Sequence, residues 1–133
     1  MKKYIIDIET KRTEPLGEDD DTIFSSCVLG EVEFADDEIR IEYSDNDAKA
    51  IVTVFDDFVT VHSVGPTTSS LVFKKGKQCG GEYSMAEGKL QVTTFTYEVE
   101  NKLLSPERTL TIDDEMNFGG NVCDRSKITY KLR

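Results

Sequence analysis

The segment 31–48, "EVEFADDEIRIEYSDNDA", alternates side-chain character residue by residue and reverses twice, and its reading decides the fold. Val32 and Phe34 fall on one phase with Glu31 and Glu33 on the other; after "ADDE" (35–38), Ile39, Ile41 and Tyr43 stand against Glu38, Arg40 and Glu42. Successive side chains of an extended chain point to opposite sides, so this period of two describes strands that bury one face and wet the other. The clusters "ADDE" and "SDNDA" (44–48) hold the Asp, Asn and Ser side chains that bond their own backbone in tight reversals.

The same grammar extends in both directions. Upstream, "TIFSSCVLGEVEF" adds Phe24 and Val28 to the phase of Val32, and Tyr4, Ile6 and Ile8 share a face at the start. Downstream, "FDDF" (55–58), "MAEG" (85–88) and "SPER" (105–108) mark further reversals. Beyond them Leu110, Ile112, Met116 and Phe118 alternate with Thr109, Thr111, Glu115 and Asn117, and Ile128, Tyr130 and Leu132 repeat the pattern. No helical period is sustained. The expected fold is therefore all-β, one domain over residues 1–133, an antiparallel meander of about 8–10 strands. A twisted sheet of that size leaves vulnerable edges unless it closes, so a barrel is expected. In "KLQVTTFTYEV" (89–99) the apolar phase passes from Leu90 and Val92 to Phe95, Tyr97 and Val99, which predicts a bulge at Thr93 and Thr94. The segments 15–22 and 65–70 are the longest polar connections and the expected rims.

The chain has 133 residues, 38% of them hydrophobic, enough for one ordinary core. Sixteen basic against 26 acidic residues leave a formal charge of -10, which repels nucleic-acid phosphates and anionic membrane surfaces. "MKKYIIDIETKRTE" starts with lysines, but Asp7 and Glu9 interrupt its apolar run, so it reads as a strand rather than a leader. No apolar segment approaches the roughly 20 residues that span a bilayer. Cys27, Cys79 and Cys123 are far apart and form no C-x-x-C pair. Reduced thiols in a cytoplasmic protein are the expectation.

The glycine-rich stretch "FKKGKQCGGEYSMAEGKLQV" (73–92) carries neither G-x-x-x-x-G-K-[S/T] nor G-x-G-x-x-G, and it leads into a strand rather than the helix a phosphate site needs. Gly80 and Gly81 read as a bend or bulge, and Gly88 as the close of a hairpin. With "VLG" (28–30), "IRIEYSD" (39–45), "LTIDDEMNFG" (110–119) and "KITYKL" (127–132), the segments "FKKG", "YSM" and "GKLQV" resemble the YwiB-like family of small bacterial proteins. The resemblance implies a calycin-like antiparallel barrel similar to the lipocalins, and no catalytic residue set comes with it. The chain departs from the family's pattern at His62, near which an arginine is usual, and at Asp114, near which a tyrosine is usual. It contains no tryptophan, hence no G-x-W signature of true lipocalins, so a lipocalin-type ligand does not carry over.

His62 is the only histidine. Ser63 beside it points to the opposite face of a strand, and no G-x-S-x-G elbow is present, so hydrolysis through His62 ranks last among the functions. One histidine and scattered cysteines give no zinc spacing. The acidic clusters "EDDD" (18–21), Asp45 with Asp47, and "DDE" (113–115) lack the calcium-loop pattern and read as solvated turn charge. Neither a cofactor nor a metal is expected. Asp114 is on the inward phase, where a carboxylate is costly unless paired, protonated or wet; a wet place near a barrel mouth is favoured over an inward cationic partner or a ligand-orienting role.

Phe24, Phe34, Tyr43, Tyr83, Phe95, Tyr97, Phe118 and Tyr130 are all assigned inward, either filling the lumen or lining a pocket. Two functional classes lead. The first is non-enzymatic binding of a small molecule in or at the mouth of the barrel, with Tyr43, Tyr83, Asp114 and His62 as candidate polar contacts. The second is a protein-interaction module, including a homo-oligomer, docking through an outer apolar patch of Val52, Val54, Val59 and Val61.

Overall fold

A computed structural model describes residues 2–13, 22–118 and 121–133, apart from the side chains of residues 13 and 121–124. Ten strands succeed one another among the described residues, with no helix: β1 (Lys2–Thr13), β2 (Thr22–Phe34), β3 (Ile39–Asp45), β4 (Ala48–Val54), β5 (Val59–Val64), β6 (Thr68–Phe73), β7 (Gln78–Met85), β8 (Gly88–Lys102), β9 (Thr109–Phe118) and β10 (Asn121–Leu132). Each pairs antiparallel with its neighbours in sequence, and β1 pairs with β10 to close the barrel. The expected meander barrel is thus present. No helix of the described residues is long and apolar enough to cross a membrane.

The alternation explains the register. Val32 of β2 lies opposite Ile41 of β3, which lies opposite Val52 of β4, which lies opposite Val61 of β5, so one inward phase is handed around the sheet. Outward partners such as Glu31 and Glu42 stay in contact with water. Val52, Val54 and Val59 belong to the buried core and Val61 packs against it. They are inward, and the outer patch expected from them does not exist, because strands β4 and β5 place Thr53, Thr60 and His62 on the other phase.

The connections beginning at Ala35, Phe55, Lys74 and Leu103 lie at one end of the barrel, and that end is solid. Leu103 is buried in the core there, its N–H donating to Asn101 Oδ1 at 3.0 Å. The rings of Phe55 and Phe58 stack at 4.5 Å across the "FDDF" turn. Ile6, Val32, Ile41, Val59, Leu110 and Ile112 fill the space beneath.

The glycine-rich stretch has a different reason from the bulge expected of it. β6 and β7 pair only through Thr68–Ser70 and Glu82–Ser84. A Cβ on Gly81 would stand 2.7 Å from Ser70 O, so the glycine permits close approach of β6 at the point where the two strands part. Beyond it β8 takes over the freed groups: Thr94 Oγ1 donates to Val72 O at 2.6 Å, and Gly76 N–H donates to Thr96 O at 2.7 Å. This accounts for the correction in β8. The register shift falls between Thr96 and Glu98, with Tyr97 as the extra residue, rather than at Thr93 and Thr94. Val92, Thr94 and Thr96 are therefore the buried positions. Phe95 and Tyr97 lie on the outside, edge to face at 5.0 Å, with the Arg125 guanidinium 4.2 Å above the Tyr97 ring. A second correction is small: Thr68–Ser70, expected in a rim, belong to β6. The segment 15–21 and the cluster 18–21 lie outside the described residues.

Candidate ligand-binding cup

Burial falls along the barrel axis on strand after strand. β1 passes from buried Ile6 to half-buried Ile8 and Thr10, β3 from Ile41 to Tyr43, and β5 from Val59 to Val61 and Ser63. On β9 buried Asp114 gives way to Met116 and Phe118, and on β10 buried Tyr130 gives way to Ile128 and Ser126. At the rim, on the inward phases of β2, β7 and β8, Phe24 is 52% exposed, Met85 41% and Leu90 37%. A uniformly filled lumen would bury all of these apolar groups. The half-buried apolar side chains of this inward face outline a candidate cup above the solid base.

The floor of the cup is polar. Tyr130 reaches from β10 towards Tyr43 of β3, and their rings lie 6.3 Å apart. Burial pushes the Tyr130 phenol well above its ordinary range, helped by the nearby Tyr43 and the Asp114 carboxylate. Burial also raises Tyr43, and Asp45 adds to the effect. Asp114 is 1% exposed, and Ser126, its register partner on β10, donates to its Oδ1 at 3.1 Å. The wet mouth expected for Asp114 is therefore corrected: the carboxylate lies two inward positions below Phe118, beneath Met116, and hydrogen bonding rather than bulk water compensates its burial. Across the β8–β9 ladder Thr96 faces Asp114, and Thr96 Oγ1 is buried without a hydrogen-bond partner.

Of the candidate residues, Tyr43 and Asp114 meet at this floor through Tyr130. Tyr83 stands on the wall above, its ring 5.9 Å from Phe118 and its hydroxyl donating to Met116 Sδ at 3.7 Å. His62 does not join them. It is exposed on the outer phase of β5, with Nδ1 2.9 Å from Ser70 Oγ, because its neighbour Val61 takes the inward position. Phe24 and Phe34 keep the inward phase, but each stands at a strand end and is largely exposed.

Sequence reasoning passed over Ser126 and Thr96 as floor groups and used Tyr130 only as bulk. Their signal was available in phase alone, since both hydroxyl residues share the inward parity of buried neighbours, but which strand faces which had to be known first. Outside the lumen lie two open grooves. One, of about 330 Å³, runs over Gly30 between Lys3, Leu29, Glu42 and Lys49, and the other, of about 340 Å³, lies between Tyr4, Phe34, Leu104 and Arg108 at the solid end. Among the described residues no group of three or more His, Cys, Asp or Glu could hold a metal ion.

A search of the curated proteins returns no match. Among solved structures, the crystal structure of YwiB protein from Bacillus subtilis superposes with a TM-score of 0.72 over 98% of this chain and 92% of that one, at 17% sequence identity. That identity speaks for the fold alone, and the fold agrees with the resemblance drawn from the glycine-rich and alternating segments. A family model described as a domain of unknown function, DUF1934, matches residues 6–131. The chain, matched over nearly its whole length, belongs to the DUF1934 family of YwiB-like β-barrel proteins.

Proposed function

We propose that this calycin-like barrel binds a small molecule in the cup at its open end, without enzymatic chemistry. The observation that carries it is the gradient from the fully buried Ile6, Val59 and Ile112 to the half-exposed Ile8, Val61, Met116 and Phe118 on the same inward phases. A concave apolar wall with a few convergent polar groups is the usual form of a small-molecule site. Tyr43 and Tyr83 supply reachable hydroxyls, and Asp114 supplies charge beneath them. Hydrolysis through His62 loses its support, since His62 stands on the outer surface, away from the cup.

The test is native mass spectrometry of protein purified without refolding, compared with its denatured mass. A releasable added mass, lost in a variant carrying Met116→Trp to fill the cup, is the expected result. An unliganded mass that stays unliganded after exposure to a metabolite extract would overturn the proposal.

A second reading has one observation of its own. Ile5 and Leu29 are register partners on the outer face of β1 and β2, and Leu29 is 65% exposed. An interaction surface, including contact with a second copy, would use this pair rather than the valines of β4 and β5. Leu29→Glu should then lower the mass in solution, and an unchanged mass would reject it.

A further inference from the structure

We propose that the groove at the solid end is a second site, outside the lumen, for a small organic carboxylate whose apolar body lies on Phe34 and Leu104 while its oxygens accept hydrogen bonds from Arg108 and Tyr4. Arg108 has a φ of 52°, in the left-handed region that glycine or asparagine enters most easily. Asn46, at φ 55° in the turn after β3, is suited to that region, and an arginine is not. The bend is held by main-chain groups alone: Arg108 N–H donates to Ser105 O at 3.1 Å, and Leu132 N–H donates to Arg108 O at 3.0 Å. A glycine would make both bonds with less strain. What sets this position apart is therefore its side chain, and strain kept for a side chain is characteristic of ligand sites.

That side chain is positioned without being neutralised. Arg108 Nη1 donates to Tyr4 Oη at 3.4 Å, the guanidinium lies 5.6 Å from the Tyr4 ring centre, and the ring packs edge to face on Phe34 at 6.4 Å. Among the described residues no carboxylate is within ion-pair distance of Arg108 or lines the groove, and Glu107 of the same loop is paired with Lys102 at 3.2 Å. The Tyr4 hydroxyl accepts from Arg108, so its own proton is left to donate, as are the remaining N–H groups of the guanidinium fork. Ser105, the other polar side chain here, spends its proton on Lys102 O at 2.7 Å and accepts from Glu107 N–H at 3.2 Å. The groove thus offers donors and a positive charge, which a carboxylate matches in a bidentate pair and an amine does not. Phe34 and Leu104, both exposed, supply an apolar surface beside the charge, and about 340 Å³ suits a small molecule. β1 is paired on both sides, by β2 and β10, so no sheet edge is free at Tyr4 to take a peptide backbone. The net charge of -10 opposes anions at long range, but at physiological salt charges farther off than about 8 Å are largely screened.

The experiment compares three probes by titration calorimetry, with NMR shifts to locate binding: 1-naphthylacetate, its neutral amide 1-naphthylacetamide, and the peptide acetyl-diglycyl-phenylalanine with a free carboxylate. We expect 1-naphthylacetate to bind at least about tenfold more tightly than the amide, with shifts at Phe34, Leu104 and Glu107, since a charge-assisted hydrogen bond is worth that factor or more. Arg108→Gly keeps the left-handed bend and should abolish the preference. Tyr4→Phe keeps the ring and removes one donor, so it should reduce the preference, and it serves if Arg108→Gly does not fold. Equal binding of acid and amide, a preference that survives Arg108→Gly, or shifts confined to Tyr83 and Met116 in the cup would overturn the proposal. So would tighter binding of the peptide than of 1-naphthylacetate, or no binding of either acid.

Discussion

Gly30 and Glu42 approach so closely across β2 and β3 that a Cβ on Gly30 would stand 2.6 Å from the Glu42 carbonyl oxygen and 2.5 Å from Ile6 Cδ1. The missing side chain is filled from the adjacent strand β1 by Ile6 and from β3 by Tyr43, whose Cβ is 3.1 Å away. Gly30→Ala forces the backbone of β3 to shift. We expect a loss of about 1–3 kcal/mol in chemical denaturation, the range for overpacking a tight core. A full-stability alanine variant would show that β3 can move freely, and with it the Tyr43 side of the cup.

Leu103 closes the solid end. It is 2% exposed, while its neighbour Leu104 is 80% exposed, so the two leucines of one loop make an internal control. Leu103→Ala should cost about 2–5 kcal/mol, as large-to-small changes in cores do. Leu104→Ala should fall within about 0.5 kcal/mol of the parent, the range for exposed sites without special contacts. Equal effects in the two melts would contradict the plug.

Tyr130 gives the fold an alkaline limit. Burial raises its phenol in the folded state, so folded and unfolded chains bind the same protons below about pH 10, and above it the unfolded chain releases one that the folded chain keeps. Stability from this group is therefore complete below about pH 10 and falls as pH rises towards the folded value. Tyr130→Phe removes the titrating group and should therefore lose less stability than the parent on going to high pH. Parallel pH profiles for parent and variant would refute this assignment.

Asp7 is held below its ordinary carboxylate range chiefly by its hydrogen bonds to Arg133, which reaches it from beyond β10 and also lies 3.8 Å from Cys27 Sγ. The sign is opposite to that of Tyr130. Any stabilisation is present above about pH 4 and fades as pH falls through the lowered value. The pair is exposed to solvent and salt, so Asp7→Asn should shift the melt only slightly at low salt and not at all at high salt. A large, salt-independent loss would mean that the pair does more than decorate the β1–β10 seam.

Periodicity made the strands and the inward phase legible because parity survives in the sequence whatever the partner strand is. It read Val32, Ile41, Leu110 and Ile112 correctly for that reason. Depth along the barrel axis leaves no such trace, and so Asp114, read as a wet rim residue, lies at the floor of the cup. The flip in β8 misled for a chemical reason. Phe95 and Tyr97 are more apolar than Thr94 and Thr96, but Thr94 has a carbonyl to reach in the gap where β6 leaves β7, and Arg125 offers Tyr97 a cationic face outside. Polarity alone therefore assigns the wrong neighbours to the lumen.

The pairing of β1 with β10 bears on how the chain reaches this state. Every other pairing joins strands adjacent in sequence and can form as a local hairpin, at modest loop-closure cost. Ile6 and Leu132, by contrast, must find each other from opposite ends of the described chain. Contacts of such separation are slow to form. An almost complete sheet with two open edges should therefore precede the barrel during folding, and those edges are where two unfinished chains would join one another instead of themselves.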